Sequence, residues 1–364
     1  MAGWRKHNTD TSDGIFFIAE IGKNFIQTEE HKSVDEYLEN AKKLVAAAKE
    51  SGADAVKFQT HVLEDEVMNI DFTSPHFNGS DRFNWVKRNE EATPLDEFWI
   101  PLKRYCDELG LSFFSTPMSR KAAERLTLLG VDFWKVGSGD VQDHVLLNYL
   151  IDTKKPIIIS TGMVSLQELD EVVRYITSRG SELAVLYCVS QYPCPPELFN
   201  LATIERLIEQ YPSVTVGFSD HSITHEAVKG ALKLGAKIIE KHFSFDRALW
   251  GSDHKASLTP EEFKEMVTLT RTGQYHDSDH SLFYGLKGKE LEGAENQFRP
   301  YFNKALVAGL DIEKGTVITE DMVYAMRPVQ LIDGLPSNTL HEVIGKKSKR
   351  SIKKMDPLTK ESFE

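Results

Sequence analysis

The chain has 364 residues, of which 41% are hydrophobic and 27% charged, and its formal net charge is −12. This composition is typical of a globular enzyme, and the length suits one large domain followed by a small one. The negative charge argues against nucleic acid as a main partner.

The chain begins with a polar segment, residues 1–14, which we interpret as a leader before the first strand. It lacks the apolar core of a signal peptide. No apolar run reaches the roughly 18 residues of a membrane helix, so no membrane partner is expected. The three cysteines, Cys106, Cys188 and Cys194, are too few for a disulfide framework and indicate a reducing, cytoplasmic setting.

Eight short apolar runs rich in β-branched residues predict eight strands. They lie at 15–21, 53–60, 111–117, 131–138, 156–162, 183–190, 214–220 and 236–243. Segments with helical spacing separate most of them, and several of these end at a glycine, a common helix stop signal. This alternation predicts a parallel sheet, and eight units in roughly 250 residues match a (β/α)8 TIM barrel at 15–272. A doubly wound open sheet is the alternative, although its Gly-x-Gly-x-x-Gly turn is missing.

Two stretches interrupt or follow this alternation. About fifty residues separate the second and third strands, and 61–94 would form a long excursion over the barrel mouth, as a binding loop or as a plain insertion. Residues 273–300 are polar and are predicted to be a linker. Residues 301–364 alternate apolar positions around the turn signal "EKGT", which predicts a small β-rich domain.

Each predicted strand ends in polar residues, at the end where barrel enzymes carry their active sites. Lys57 and Lys135 lie inside the apolar runs "VKF" and "WKV", where a cation needs a buried anion. A substrate phosphate or carboxylate would serve, and pairing with Glu20 or Asp140 is equally compatible with the spacing. Hydroxyl groups that could donate to the same anion belong to Thr116, Ser138, Ser160 and Ser219.

Two histidines, His221 and His242, end the seventh and eighth predicted strands in "FSDHS" and "EKHFS". Neighbouring strands lie about 4.8 Å apart, so the two imidazoles could share one cation. Neutral imidazole suits Zn, Fe or Mn-like ions, with water or substrate oxygens in the remaining positions. Two structural histidines, hydrogen-bonded within the protein, are the alternative.

Two carboxylates complete the candidate residues. Glu20 ends an otherwise apolar strand and would act as a general base, orient a polyhydroxy substrate, or pair with a lysine. Asp253, in "WGSDHKASL", would bind sugar hydroxyls or serve as a turn residue. The residues by themselves predict a barrel enzyme with an anion site and a two-histidine metal site, and they leave the reaction open.

Taken together, the motifs resemble those of the sialic acid synthase (NeuB-like) family over nearly the whole chain. They read "IAEIGKN", "GADAVKFQTH", "FFSTPMS", "KVGSGD", "IIISTGM", "SQYPCPPELFNL", "VGFSDHS", "EKHFSFD" and "WGSDHKASL". The segment that begins "ALVAGLDIEKGTVITEDMVYAMRP" resembles that family's antifreeze-like (SAF) domain. The resemblance implies a synthase barrel at 15–272 and a SAF domain at 301–364.

The resemblance also implies a reaction. Phosphoenolpyruvate (PEP) would condense with an N-acetylmannosamine-type sugar and release phosphate, to give a nine-carbon 3-deoxy-2-keto acid such as N-acetylneuraminate or a legionaminate-like product. Carbon 3 of PEP would attack the aldehyde of the open-chain sugar, polarised by a divalent metal ion on His221 and His242. Mn²⁺ or Mg²⁺ is the expected ion.

Further roles come from the same resemblance. The residues that would hold PEP are Lys57, Thr116, Lys135, Ser138, Ser160, Tyr192 and Ser219. Ser190 stands where some members have an asparagine, so a PEP contact there would differ. Glu20, Gln59 and Asp253 would contact the sugar or the attacking water. Arg327, in "MRP", matches an arginine that the small domain sends into the partner's barrel, which implies a domain-swapped homodimer.

Two departures from the family pattern border the sugar side. Phe25 replaces a histidine of many members, and the stretch after Arg327, "VQLIDGLPS", is longer than the usual turn. The acceptor is therefore open among N-acetylmannosamine, its 6-phosphate and a 2,4-diacetamido-6-deoxy sugar. The alternative functions are a 3-deoxy-ulosonate synthase that uses PEP with a different aldose, and a catalytically degenerate sugar-binding protein.

Overall fold

The computed structural model describes residues 4, 14–75, 79–276, 279–289 and 297–364. Most of the predicted leader and parts of the predicted linker, together with residues 76–78 of the excursion, lie outside the described residues.

Eight parallel strands form the central sheet. They are β1 (Phe16–Gly22), β2 (Ala55–Thr60), β3 (Ser112–Pro117), β4 (Trp134–Val136), β5 (Ile157–Ser160), β6 (Leu183–Cys188), β7 (Thr215–Asp220) and β8 (Ile238–His242). The strand order is β3-β2-β1-β8-β7-β6-β5-β4, and β3 and β4 at its two ends are in contact. The predicted barrel is confirmed, because a doubly wound sheet would keep two separated edges.

Helices follow the strands around the outside of the barrel. They are α1 (Val34–Glu50), α2 (Arg82–Ala92), α3 (Ile100–Glu108), α4 (Arg120–Leu128), α5 (His144–Asp152), α6 (Leu166–Thr177), α7 (Thr203–Gln210), α8 (Glu226–Lys233) and α9 (Pro260–Arg271). Capping boxes at Ser33, Ser165 and Thr259 satisfy the first backbone N–H groups of three of them. Gly52 and Gly235, just past two helix ends, adopt positive φ angles of 87° and 98°.

Side chains alternate between the two faces of each strand, because the side-chain period of a strand is two. Toward the amino ends of the strands, the barrel interior is apolar and its members include Phe16, Phe114, Phe133, Ile158, Leu186 and Ile238. Trp4, from the predicted leader, is buried there with its ring edge-on to Phe133 at 5.4 Å. Trp4 thus belongs to the core that closes this end of the barrel.

The outward faces of the strands pack against the helices and are largely apolar. Asp220 and Lys241 are charged exceptions on adjacent strands, and they form a fully buried ion pair of 2.6 Å. Lys241 also donates to the Ser222 carbonyl oxygen at 2.5 Å. The lysine in "EKH" is therefore held outside the barrel interior, whereas its neighbours Glu240 and His242 face inward.

The C-terminal domain packs on the barrel mouth. Two short helices, α10 (Ser281–Tyr284) and α11 (Arg299–Phe302), precede an antiparallel pair, β9 (Ala305–Ala308) and β10 (Val323–Met326). Val145 of α5 joins the apolar core of this domain. Among the described residues, no helix has the length and apolar character needed to cross a membrane, and the three cysteines form no disulfide.

Candidate active site

A cavity with an empty volume of about 870 Å³, including its opening, lies at the carboxyl ends of the strands. The strand register explains why so many predicted residues meet there, since Glu20 is paired with both Lys57 and His242, and Gln59 with Thr116. The predicted site residues that line it are Glu20, Lys57, Gln59, Thr116, Lys135, Ser138, Ser160, Tyr192, Ser219, His221, His242, Asp253 and Arg327.

Lys57 lies at the centre of one group of charges. Its Nζ is 2.6 Å from Glu20 Oε2 and 3.7 Å from Glu240 Oε2, and it donates to Thr116 Oγ1 at 3.3 Å. All four side chains are buried. A buried ammonium that already contacts carboxylates is held charged, so it can also receive a substrate anion.

Lys135 forms a second group beside it. Its Nζ donates to Ser160 Oγ at 2.7 Å and lies 3.5 Å from Glu240 Oε1, which accepts from Ser219 Oγ at 2.9 Å. Ser138 Oγ accepts from the Gly162 backbone N–H at 2.9 Å. Two lysines and several hydroxyls therefore share a single buried volume.

The pKa values of two carboxyl groups near Lys57 shift in opposite directions. Burial raises the pKa of Glu20 to about 7, although Lys57 acts against the shift. Burial also opposes ionisation of Glu240, but the charges of Lys135 and Lys57 outweigh it and lower that pKa to about 2. Pairs whose pKa values are separated in this way divide the roles of proton carrier and fixed charge. Glu20 is thus suited to gain or lose a proton near neutral pH.

The predicted metal ligands, His221 and His242, lie with ring centroids 5.6 Å apart. His221 Nδ1 is 2.8 Å from the Val189 carbonyl oxygen, which leaves its Nε2 toward the cavity, and the buried His242 Nδ1 has no hydrogen-bond partner within the described ranges. Burial lowers the pKa of these imidazoles to about 4 and about 3 respectively, so both are neutral.

Neutral imidazoles with unused ring nitrogens fit a divalent cation. In the part of the chain that the structure describes, no three His, Cys, Asp or Glu side chains converge on a common point. Water and substrate oxygens would therefore have to complete the coordination of an ion held by this pair.

Polar side chains also border the histidines and Glu20. Gln59 Nε2 donates to Glu20 Oε1 at 3.1 Å and to Asp253 Oδ2 at 3.5 Å. The Tyr192 ring lies on His221, with centroids 4.1 Å apart. Gln59 and Asp253 thus offer an amide and a carboxylate to hydroxyl groups beside the two lysines.

Arg327 reaches this cavity from the end of β10 in the small domain of the same chain. It is fully buried, its Nη2 donates to Asp140, and its Nη1 lies 3.9 Å from Glu66 Oε1. Lys304, also from the small domain, lies 2.8 Å from both Asp140 and Asp143. These buried ion pairs attach the small domain to the mouth.

Several cavity residues were not among the predicted ones. They are Lys23, Arg82, Asp140, Glu240, Phe298 and Phe302. Strand alternation could have found Glu240, which is two residues from His242 and therefore on the same face. Lys23 and Phe298 lie in turns, Arg82 is the first residue of α2, and Phe302 ends the four-residue helix α11, so no strand alternation indicates which way these side chains point.

Three expectations concern residues beside the cavity. Ser190 is buried but does not line it, and a Cβ at Gly162 would lie 2.2 Å from its Oγ. Phe25 packs among Tyr37, Phe58 and Phe98 rather than at the cavity. Residues 329–337, after Arg327, form backbone hydrogen bonds to Asn303 and Lys304, and Ser337 Oγ donates to the Gln142 carbonyl oxygen of the barrel. The replacement at Phe25 therefore changes the packing behind β1 and leaves the cavity wall to other residues.

Comparisons with known proteins show the family of this chain. The NeuB family model matches residues 44–280, and the SAF domain model matches 303–364. The N-acetylneuraminate-9-phosphate synthase of Homo sapiens is 32% identical over 350 residues, which cover 95% of this chain and 92% of the human protein. The pseudaminic acid synthase of Campylobacter jejuni is 32% identical over 363 residues, covering 98% and 99%.

A solved structure is similar along the whole length. The crystal structure of the spore coat polysaccharide biosynthesis protein SpsE from Bacillus subtilis superposes with a TM-score of 0.77 at 30% identity, covering 96% of this chain and 95% of that one. The resemblance inferred from the motifs is confirmed. The chain belongs to the NeuB family and carries a C-terminal SAF domain.

Proposed function

We propose that this chain is a sialic acid synthase-type enzyme that condenses PEP with an N-acetylmannosamine-type sugar. Carbon 3 of PEP forms a bond to the aldehyde carbon of the open-chain sugar, water adds at carbon 2, and phosphate leaves by C–O cleavage. The observation that carries the proposal is the meeting of Lys57 and Lys135 with hydroxyls and two histidines in one buried cavity of a NeuB family member.

PEP is a small, densely anionic ligand that fits this arrangement. Its phosphate and carboxylate would lie between Lys57 and Lys135, with hydrogen bonds from Thr116, Ser160 and Ser219. Charge-assisted hydrogen bonds are strong where water is excluded. They also fix PEP so that carbon 3 faces the sugar, which converts a bimolecular encounter into an oriented one.

His221 and His242 would hold a divalent ion, which supplies Lewis-acid polarisation of the sugar carbonyl when bound. The other groups act on protons and orientation. Glu20, with its pKa raised to about 7 by burial, can accept a proton from the water that attacks carbon 2. Gln59 bonds both Glu20 and Asp253, so it orients the base and a sugar-binding carboxylate together.

The test is product formation with PEP against a panel of acceptors, measured as the 3-deoxy-2-keto acid and as released phosphate. Turnover is expected with an N-acetylated mannosamine-type sugar. Turnover only with arabinose 5-phosphate or erythrose 4-phosphate would favour the 3-deoxy-ulosonate synthase. If no aldose of the panel supports turnover, the degenerate sugar-binding protein is favoured.

We also propose the domain-swapped homodimer, in which the contact of Arg327 with Asp140, formed within one chain in this structure, forms between two subunits instead. Arg327→Ala should raise the sugar KM about tenfold, because a buried guanidinium is lost from the sugar side. Mixing unfolded Arg327→Ala and His221→Ala chains and refolding them should restore the low sugar KM of the unaltered protein at up to about a quarter of the sites, since a swapped heterodimer contains one complete site. A refolded dimer in which no site has the low sugar KM would contradict the exchange.

A further inference from the structure

Two cavity cations have no part in the proposed PEP site. Lys23 directly follows β1, and Arg82 is the first residue of α2 in the excursion between β2 and β3. Both line the same cavity as Lys57 and Lys135, and each is only 7% exposed. Positive charge at such depth requires an anion, from the protein or from a ligand.

Lys23 forms no ion pair among the described residues. Its ammonium makes no hydrogen bond with a side chain there either, and its Nζ lies 5.6 Å from the centroid of the Trp85 ring. Burial lowers the pKa of Lys23 to about 8, with Asp253 acting in the opposite direction. The side chain therefore carries a charge at neutral pH and lines the cavity, and among the described residues no carboxylate forms an ion pair with it.

Arg82 is only partly neutralised. Its Nη2 donates to Glu66 Oε1 at 3.2 Å, but the same carboxylate is 2.7 Å from His61 Nδ1 and 3.9 Å from Arg327 Nη1. The buried Nε of Arg82 has no hydrogen-bond partner among the described residues. One carboxylate thus serves two guanidinium groups, and a buried donor of Arg82 is left for a ligand.

Helix α2 brings these cations together. Arg82 and Trp85 are three residues apart and share a face of the helix. The Arg82 guanidinium covers the Phe302 ring at 5.2 Å, and Trp85 lies under the Lys23 ammonium. Two aromatic rings therefore support two cations beside the cavity, as in a pocket for an anionic ligand with an apolar stem.

We propose that Lys23 and Arg82 bind a phosphate group on the acceptor, so that the acceptor is a phosphorylated N-acetylhexosamine. This inference rests on the proposed function. Lys57 and Lys135 already account for the anionic groups of PEP, so the second pair requires a second anion. In an open-chain hexosamine, carbon 6 lies at the opposite end from the reacting aldehyde. A phosphate there leaves the aldehyde free to face PEP.

The first experiment uses the unaltered protein with saturating PEP and Mn²⁺. Product formation is measured with N-acetylmannosamine, its 6-phosphate and N-acetylmannosaminuronic acid. We expect kcat/KM for the phosphorylated sugar to exceed that for the neutral sugar about tenfold or more, as charge-assisted hydrogen bonds imply. Equal or better use of the neutral sugar, or of the carboxylate sugar, would overturn the inference and leave the proposed function standing.

Variants then assign the effect to the two residues. Lys23→Met and Arg82→Met should each raise the KM for the phosphorylated sugar about tenfold while the KM for PEP changes less than about twofold. Lys264→Met, on the outer face of α9, is the matched control and should change neither constant. Equal rises in both KM values would show that the variants disturb the whole mouth, which contradicts the assignment. Absence of turnover with every acceptor would reject the proposed function as well.

Discussion

The two ends of the barrel interior are built from the same strands and differ completely in chemistry. At the amino ends, inward positions carry Phe16, Phe114 and Phe133, whose rings pack on one another and on Trp4. At the carboxyl ends, the same strands carry Glu20, Thr116 and Lys135. Two residues further along a strand, the environment changes from close aromatic packing to paired charges.

The comparison separates stability from function within one sheet. The aromatic end is a cluster of buried aromatic and aliphatic side chains, so its contribution is mainly burial of apolar surface. The charged end is stabilised less directly, because buried ion pairs recover little beyond their desolvation cost. Substitutions at the first end should change folding, and substitutions at the second should change catalysis.

The largest effect is expected at the histidines. His221→Ala or His242→Ala should lower kcat more than about 1000-fold, because the proposed Lewis acid loses half of its protein ligands. Chelation should lower the kcat of the unaltered enzyme by a similar factor, and added Mn²⁺ should restore that kcat. Calorimetric titration with Mn²⁺ gives an independent measurement of ion binding. His276→Ala, which replaces a solvent-exposed histidine, is the control and should leave kcat unchanged. Full activity after thorough removal of metal would refute the role.

Substitutions at the aromatic end should lower folding stability and leave substrate binding unchanged. Phe133→Ala removes a ring that lies 4.5 Å from Phe114 and 5.4 Å from Trp4, centroid to centroid. The free energy of unfolding should fall by about 3–5 kcal/mol, with KM for PEP unchanged in the folded fraction. Urea denaturation measures the first quantity. Leu128→Ala, at a position 75% exposed, should cost less than about 0.5 kcal/mol. A loss at Phe133 no larger than at Leu128 would break the comparison.

A smaller effect is expected at a hydroxyl of the charged end. Ser160→Ala removes the acceptor 2.7 Å from Lys135 Nζ but leaves the lysine beside Glu240. Catalytic efficiency with PEP should fall about tenfold, and the free energy of unfolding should fall by only about 1 kcal/mol. Ser351→Ala, exposed in the small domain, should alter neither quantity. Unchanged efficiency for Ser160→Ala would remove this hydroxyl from the PEP site.

The smallest effect concerns pH. Burial lowers the pKa of Lys23 to about 8, and the charged groups that act on it are Asp253, Arg82, Glu66 and Glu20. Lys23 is protonated below pH 8 and neutral above it, whereas a sugar phosphate stays dianionic above about pH 6. The KM for a phosphorylated acceptor should therefore rise about fivefold between pH 7 and pH 9. In Lys23→Met the rise should be absent, and a rise of the same size there would assign it to another group.

The sequence predicted the eight strands within a few residues, since buried parallel strands read as continuous apolar runs. The run at 131–138 shortens to Trp134–Val136, because its flanking residues complete a loop and a turn rather than ladder pairs. The polar ends of the strands were visible as well. The sequence did not show which of these polar side chains point into the barrel and which point out of it. In "EKH", for example, Lys241 points outward and pairs with Asp220.

The contents of the cavity were harder to predict for residues outside the strands. Lys23 lies in the turn after β1 and Arg82 begins α2, and nothing in the local sequence indicates that both line the same cavity. Arg327 was assigned to a site only through the family resemblance, since its surroundings in the chain are those of an ordinary strand end. Phe298 and Phe302 were not predicted at all.

The sequence by itself determined the barrel, the small domain after it, and the carboxyl ends of the strands as the place for chemistry, because periodicity and strand direction are local properties. Only the tertiary structure decided that Lys23 forms no ion pair among the described residues, that Arg82 shares Glu66 with Arg327, and that the small domain closes over the mouth. Those facts depend on contacts between segments far apart in the chain, and such contacts are set by the packing of the whole molecule.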